Sequence, residues 1–532
     1  MKTINSEILI IGSGGAGLRT AIELHDNNKD VLVVGKCKKR EAHTVLATGG
    51  INAALGNMDK KDSWELHAAD TIRDGGLLND SNAVVLLCKN APAAVKELSK
   101  WGTKFHKEKS GKLTQRFFGA AIYRRACFVG DVTGKAILNT LVNQVQKRKI
   151  RFKSETYIFS LLHSTGKVNG ALGLDLNSGK IIKFQSKIVV LATGGHSRMF
   201  GRSSSGFWEN NGDGIYLAKK VGARFMDMEL FQFHPTGMVY PKKAAGILVT
   251  EAVRGEGGIL TNSNGQRFME KYDSERMELS ARDIVARANY MEIKNGKGTK
   301  HRGVWLDISH KSKSYIKKRL PRMYRQFKEY ANIDISKQKM EVGPTAHYSM
   351  GGILIDHKTG KTDVKNLFAI GEVTSGVHGG NRLGGNSLAE ITVFGKLTGQ
   401  SILKELKKTN QTPIDDSLVK KEQIAFLKTS NSKKGKNPIK AKEELQVMMW
   451  KHLGVIRNAK GMKKALKQLE KFKKMKLKVN GSLKMNEQLI AALDFQNMLP
   501  TCEMIIKSAL FRKESRAAHY RSDYKITESK WK

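Results

Sequence analysis

One hexapeptide constrains this chain more than any other stretch. Gly12-Ser13-Gly14-Gly15-Ala16-Gly17 follows directly on the apolar run Ile8-Leu9-Ile10-Ile11 and leads into a helical pattern over Leu18–His25, with a second apolar run at Val31–Val34. Strand, glycine turn, helix, strand is a βαβ opening, and the glycines fit G-x-G-x-x-G. Gly12 permits the tight turn, Gly14 lets a pyrophosphate approach the backbone, and Gly17 lets helix and strand pack closely. Gly15 and Ala16 keep the helix N-terminus open, where unpaired N–H groups and the helix dipole favour phosphate. A purely structural glycine turn is the competing reading.

The end of the second strand reads Val34-Gly35-Lys36. The acidic residue that would hold an NAD ribose is missing there, and Lys36 is left near a phosphate or ribose instead. A carboxylate for ribose hydroxyls is available at Glu372, after the apolar run Leu367–Ile370. Leu191-Ala192-Thr193-Gly194-Gly195 is a third segment of small residues that lets backbone approach a cofactor.

With 532 residues, the chain exceeds the ~250–300 residues that one core supports, so several domains are expected. The Pro- or Lys-rich polar stretches Thr409–Asp416 and Asn431–Pro438 read as breaks, and Asn386–Leu406 and Met462–Leu477 as helices. The expected architecture is α/β. A Rossmann-like dinucleotide domain (1–227 and 346–408) is interrupted by an α+β capping domain (228–345). A helical domain (409–508) and a C-terminal segment (509–532) follow.

Lys plus Arg number 93 against 49 Asp plus Glu, a formal charge of +44. The lysines concentrate between Lys404 and Lys484, unaccompanied by a zinc finger or aromatic RNA-reading motif. A solvated or partner-docking surface explains them more simply than nucleic-acid binding, and no nucleic acid is expected. The four cysteines, Cys37, Cys88, Cys127 and Cys502, are too scattered for a metal or iron–sulfur ligand set. No metal is expected, and one-electron transfer out of the chain requires another protein. The sequence has neither a signal-peptide core nor a run of ~18 apolar residues, so a cytoplasmic protein without a membrane-spanning helix is expected.

Arg40-Glu41-Ala42-His43-Thr44-Val45-Leu46-Ala47-Thr48-Gly49-Gly50 resembles the flavin-attachment segment of succinate dehydrogenase and fumarate reductase flavoproteins. In that family the His of His-Thr-Val bonds to the 8α carbon of FAD, which implies covalent FAD on His43. Gln115–Gly119, Gly130–Gly134 and Arg512–Arg516 with His519 are similar to other family segments. The resemblance implies that Thr44, Gly49, Gly50 and Asp213 also contact the cofactor, as do Asn386, Ser387 and Leu388.

Five further stretches look like the family's dicarboxylate site: Phe231–Gly237, Thr250–Gly258, Glu278–Asp283, Ala346–Gly352 and Asn381–Leu388. A dianionic substrate needs cations and donors in a dry pocket. Arg382 suits a bidentate clamp, and His234, Thr250 and His347 can donate. The resemblance makes Arg282 the proton carrier. An arginine, with a pKa above 12, can serve only if a carboxylate polarises and recharges it, and Glu251 and Arg254 are similar to the family's proton relay. Glu256 is left as structural.

The implied activity is succinate/fumarate interconversion by hydride transfer with FAD. Electrons would pass to an iron–sulfur partner and through it to a membrane anchor, which would place the chain peripherally on the cytoplasmic face of the cell membrane. Three other readings compete: a soluble thiol-linked fumarate reductase component, an L-aspartate oxidase, and a non-enzymatic flavin fold. The His-Thr-Val segment argues against the oxidase. Thr48 departs from the Gln or Glu common in the family, the tail after His519 is short, and the charge is unusually basic.

Overall fold

The computed structural model describes every residue except 119, 165, 433 and 532; Gly119 of the Gln115–Gly119 segment therefore lies outside the described residues. The Val/Ile/Leu-rich runs at the N-terminus are buried strands. Four parallel strands lie in the order Arg151–Lys153, Val31–Val34, Lys2–Ile11, Ile181–Leu191. On the edge away from Lys2–Ile11, strand Ile181–Leu191 serves two neighbours. Its C-terminal half pairs in parallel with Leu367–Ala369 and its N-terminal half antiparallel with Lys167–Asp175, which in turn pairs with Thr156–Ser164. Residues 150–190, whose pattern suggests short strands and turns, carry the short strand Arg151–Lys153 and three strands of nine to eleven residues; two of these, Thr156–Ser164 and Lys167–Asp175, are buried on both faces over most of their length, which masks their alternation.

The parallel strands Lys2–Ile11, Val31–Val34, Ile181–Leu191 and Leu367–Ala369 all point their carboxyl ends at one edge. Gly12, Lys36, Thr193 and Glu372 therefore converge there from four separate parts of the chain, at the edge where ligands bind in open α/β sheets. The helix after the first strand begins at Gly15 and runs to His25. Gly12 has φ +122°, and a Cβ on it would lie 2.0 Å from the Ala192 carbonyl oxygen. A Cβ on Gly17 would lie 2.1 Å from the Gly12 carbonyl oxygen. The turn is thus closed to any larger residue at both positions.

A second, four-stranded antiparallel sheet is inserted between the third and last of these edge strands. Its order is Phe231–Met238, Met340–Ser349, Val304–Asp307, Ile259–Thr261. It has its own core, including Met238, Val253, Leu260, Val285, Leu306, Phe327 and Val342. Helices Asp416–Ser430, Pro438–Leu453, Ala459–Lys473 and Glu487–Phe511 follow. This is the expected architecture: a Rossmann-like unit interrupted by an α+β unit and followed by helices.

Helix Ala459–Lys473 buries Met462, Ala465 and Leu469. The lysines from Lys463 to Lys478 are all exposed, so this cluster is a solvated face. Among the described residues, no helix is long and apolar enough to cross a membrane. Gly12→Ala is expected to give a chain that purifies without dinucleotide cofactor; a variant carrying the wild-type amount would show that the turn accepts a Cβ.

Candidate active site

One cavity of about 1640 Å³, open space at its mouth included, runs from the glycine turn to the inserted sheet. Of the residues expected to hold the cofactor, Gly12, Gly14, Gly15, Ala16, Lys36, His43, Thr44, Gly49 and Gly50 line it. Thr193, Gly194, Asp213, Glu372, Ser387 and Leu388 do so as well. Three others stand behind its wall. Gly17 packs against Gly12, and a Cβ on Gly195 would lie 2.5 Å from Glu372 Oε1. Asn386 spends its side chain on Asn52 at 2.8 Å, His67 at 2.8 Å and Thr71 at 2.9 Å, which fixes the start of helix Asn386–Leu406.

At the glycine end, the Thr44 hydroxyl accepts from the Gly15 N–H at 3.0 Å and ties the His43 segment to the helix start. Glu372 accepts from the Ser349 N–H at 3.1 Å, and burial raises its carboxyl to about 8. Lys36 sits in a buried ionic network that sequence reasoning missed. Its ammonium is 3.1 Å from Asp213 and 2.9 Å from Asp494, and Lys442 meets the other oxygen of Asp494 at 2.7 Å. Tyr157 and Asn497 donate into the same group. Burial works against the charged form of Lys36, but the two carboxylates overcome it and raise its pKa. Asp494 and Lys442 come from the last helices of the chain, more than 400 residues from Lys36, and nothing near them in sequence signals the contact.

At the other end the chemistry is built on one carboxamide. Gln232 Oε1 accepts from Arg282 at 3.0 Å and from Arg382 at 3.1 Å. Gln232 Nε2 in turn donates to Asn381 Oδ1 at 2.7 Å and to the Arg382 carbonyl at 2.8 Å. Gln232 and His234 alternate along strand Phe231–Met238 and so share a face, while Phe231 and Phe233 pack on Phe200 behind it. Gln232 pairs with Tyr348 and Phe233 with Ala346, which makes His347 the extra residue of a β-bulge. Bulges re-aim side chains, and this one brings His347 to the cavity beside His234, ring centroids 5.2 Å apart.

His234 Nδ1 lies 3.0 Å from the Thr236 carbonyl and His347 Nδ1 lies 2.8 Å from the Ser204 hydroxyl. Burial first, then neighbouring arginines for His234 and the His234 ring with Arg382 for His347, hold both imidazoles well below their usual pKa, so both are neutral. Thr250 also lines the cavity.

Arg282 opens helix Arg282–Glu292, and its Nε donates to Glu251 Oε2 at 2.8 Å. Glu251 precedes the short helix Ala252–Gly255, so Arg254 falls one turn on, 3.8 Å from the free oxygen Oε1. Burial would raise the Glu251 carboxyl, but Arg282 and Arg254 hold it down. Arg254 lies behind the cavity wall and donates to the Glu278 carbonyl. Arg382 lies over the Tyr348 ring at 4.4 Å, and burial, with Arg282 nearby, lowers its pKa to about 10. Arg282 and Arg382 face the cavity against the Glu251 carboxylate, with Arg254 behind it, so the pocket is positively charged toward an anion in low dielectric.

The site therefore combines a dinucleotide cradle with a buried, positively charged pocket, the arrangement of a flavin oxidoreductase acting on an anion. Two family models match: the FAD binding domain over residues 7–388 and the fumarate reductase flavoprotein C-terminal domain over residues 442–531. A component of the fumarate reductase (CoM/CoB) of Methanothermobacter marburgensis is 42% identical over 99% of this chain and 96% of its own. The succinate dehydrogenase flavoprotein of Rickettsia bellii is 36% identical over 97% and 90%. Among solved structures, Mycobacterium smegmatis Sdh1 in complex with UQ1 matches at 40% identity and TM-score 0.90, covering 100% of this chain and 91% of that one. FrdA of E. coli quinol fumarate reductase, in a mutant form, matches at 31% and 0.93, covering 99% and 93%. The chain belongs to the succinate dehydrogenase/fumarate reductase flavoprotein family and is an FAD-dependent oxidoreductase.

Asp494→Asn would leave Lys36 and Lys442 without their shared carboxylate. Breaking a buried pair costs about 3–5 kcal/mol, so the variant is expected to melt earlier and to lose FAD more readily. An unchanged melting temperature and flavin content would deny the network its role.

Proposed function

We propose that this chain interconverts succinate and fumarate as the flavoprotein of a larger complex, with FAD bonded to His43. One observation carries the reading: Arg282 is hydrogen-bonded at once to the Glu251 carboxylate and to the carboxamide that also holds Arg382. The cavity residues fit FAD, with the open helix start at Gly14–Ala16 for the pyrophosphate and Lys36, Asp213 and Glu372 for polar contacts. Thr193 Oγ1, buried and without a partner, adds an unused donor there. When bound, FAD supplies the hydride acceptor and donor.

The chain's own residues do the rest. Arg382 pairs one substrate carboxylate, and neutral His234 and His347, with Thr250, donate to the dianion without adding charge. Polarising a carboxylate stabilises the carbanion-like charge that builds as fumarate accepts hydride. Arg282 exchanges a proton with the carbon that hydride does not touch. Glu251 polarises Arg282 and returns its proton, and Arg254 extends the relay away from the cavity.

The parallel sheet draws strands from both ends of the Rossmann-like unit, and every residue of the inserted core falls between 238 and 342. Both support an inserted unit at 228–345 within a unit of 1–227 and 346–408, with strand Met340–Ser349 running across the limit at 345; 409–508 and 509–532 are the helical part and the C-terminal segment. Two-electron chemistry at FAD, with no group of His, Cys, Asp and Glu side chains placed to hold a metal among the described residues, calls for an iron–sulfur partner. We assign the chain to the cytoplasmic face of the membrane, held through that partner and an anchor. A second reading, a component of a thiol-linked fumarate reductase, is favoured by the 42% identity to the relative from the fumarate reductase (CoM/CoB). It keeps the same site chemistry and changes the electron donor.

The test is turnover of the FAD-loaded chain with succinate and a dye acceptor, and with fumarate and a low-potential donor. Activity blocked by malonate supports the reading. Oxidation of L-aspartate, or no turnover with FAD in place, overturns it. Arg282→Ala is expected to keep FAD and lose about 10³-fold or more in kcat, in the range of general acid–base contributions; retained turnover would remove Arg282 as proton carrier.

A further inference from the structure

His43 and Glu209 meet at the cavity wall away from the dicarboxylate pocket. Glu209 Oε2 is 3.9 Å from His43 Nδ1, and both side chains line the cavity. That nitrogen is buried and has no hydrogen-bond partner. Glu209 carries no salt bridge to Lys or Arg among the described residues; His43 is the basic side chain placed against it. Nothing in the succinate/fumarate chemistry above uses this carboxyl.

The surroundings favour a proton on Glu209, so its ionised form is the one that acts as a base and it holds the proton it takes. Burial raises its carboxyl to about 8, partly offset by the His43 backbone N–H, Lys36 and the Cys37 thiol. Burial lowers the His43 imidazole to about 4, so His43 is neutral, with one nitrogen protonated and the other holding a lone pair. A neutral imidazole that forms a bond through one nitrogen must lose the proton on the other, or stay behind as a buried cation. A buried cation is costly without a partner, and the group placed to prevent it is Glu209.

We propose that Glu209 is the general base that forms the His43–flavin bond: it takes the Nδ1 proton while Nε2 attacks the 8α carbon. This rests on the covalent reading of His43. In the step one proton of the 8α methyl passes to the flavin ring, which makes that carbon electrophilic; the carbon–nitrogen bond then forms as the Nδ1–H bond breaks. The two electrons pass to the flavin ring with two protons, one of them relayed by Glu209. Fumarate then reoxidises the ring by the enzyme's ordinary reaction. The 3.9 Å separation is about 1 Å beyond a hydrogen bond. Such contacts are often loose before the reacting group is bound and tighten with it. Cys37, on the same side, is not the base, because burial raises its thiol to about 12.

The experiment follows covalent flavin directly. Full-length wild type, Glu209→Gln and Glu209→Asp are incubated with FAD and fumarate, and samples are withdrawn over time. Flavin fluorescence of the denatured gel band reports the covalent bond, and flavin absorbance of the native protein reports bound FAD. Glu209→Gln is expected to bind FAD at the wild-type level and to form the bond about 10²-fold more slowly. Glu209→Asp, which keeps a carboxylate, is expected to recover much of the rate. Equal rates in wild type and Glu209→Gln overturn the proposal and leave covalent attachment standing. So does an Asp variant no faster than the Gln variant, whether or not the Gln variant holds FAD. Wild type that binds FAD but never fluoresces after denaturation overturns the covalent reading itself, and this proposal with it.

Discussion

Two buried arginines cannot share a dry pocket unless something neutral holds them at a fixed separation, and in this protein that something is the Gln232 carboxamide. Its single oxygen accepts from Arg282 and from Arg382. Like charges in low dielectric repel strongly, and the Glu251 carboxylate relieves only part of the repulsion because it bonds Arg282 and not Arg382. The remaining positive charge is what a dicarboxylate meets. Other features follow from holding this group in place. Asn381 pins the far side of Gln232, Tyr348 supports Arg382 from below, and Glu390 accepts from the Tyr348 hydroxyl. The inserted sheet supplies Gln232 and His234 from one strand and His347 from a bulge in the next.

The cofactor end rests on a different device, a cluster of two lysines and two aspartates buried where the C-terminal helices cover the sheet edge. It joins Lys36, at the end of the second strand, to Asp494 and Lys442 in helices Glu487–Phe511 and Pro438–Leu453. The helices thereby do more than cover the sheet edge. They complete the electrostatics of the cavity, and loss of their contact is felt at Lys36.

Much of this was legible in the sequence because it depends on local pattern. The glycine turn, the strand before it and helix Asn386–Leu406 follow from periodicity and small residues. Lys36 and Glu372 could be placed by asking which group replaces a missing ribose acid. The dicarboxylate residues were legible through family resemblance more than through spacing, since His234, Glu251, Arg282, His347 and Arg382 lie far apart in the chain. Gln232 lay inside a recognised stretch, yet its role depends on two arginines that only the fold brings to it. Asp494 and Glu209 gave no signal at all. Each is an ordinary acid within an unremarkable stretch, and its meaning comes from the buried base placed against it. Strands Thr156–Ser164 and Lys167–Asp175 were obscured because burial on both faces erases the alternation that marks a strand. The densest lysine cluster, Lys463 to Lys478, is exposed.

The central claim is that the pocket beside the flavin is built for a dianion. Titration of the FAD-loaded chain with malonate, followed through flavin absorbance, tests it most directly, with propionate as the monoanion of similar size. The account predicts a saturable spectral change with malonate and at least a roughly tenfold weaker response to propionate, since the second carboxylate engages a second charged group at about 1.4 kcal/mol or more. Equal responses to the two acids, or a flavin spectrum indifferent to both, would contradict it.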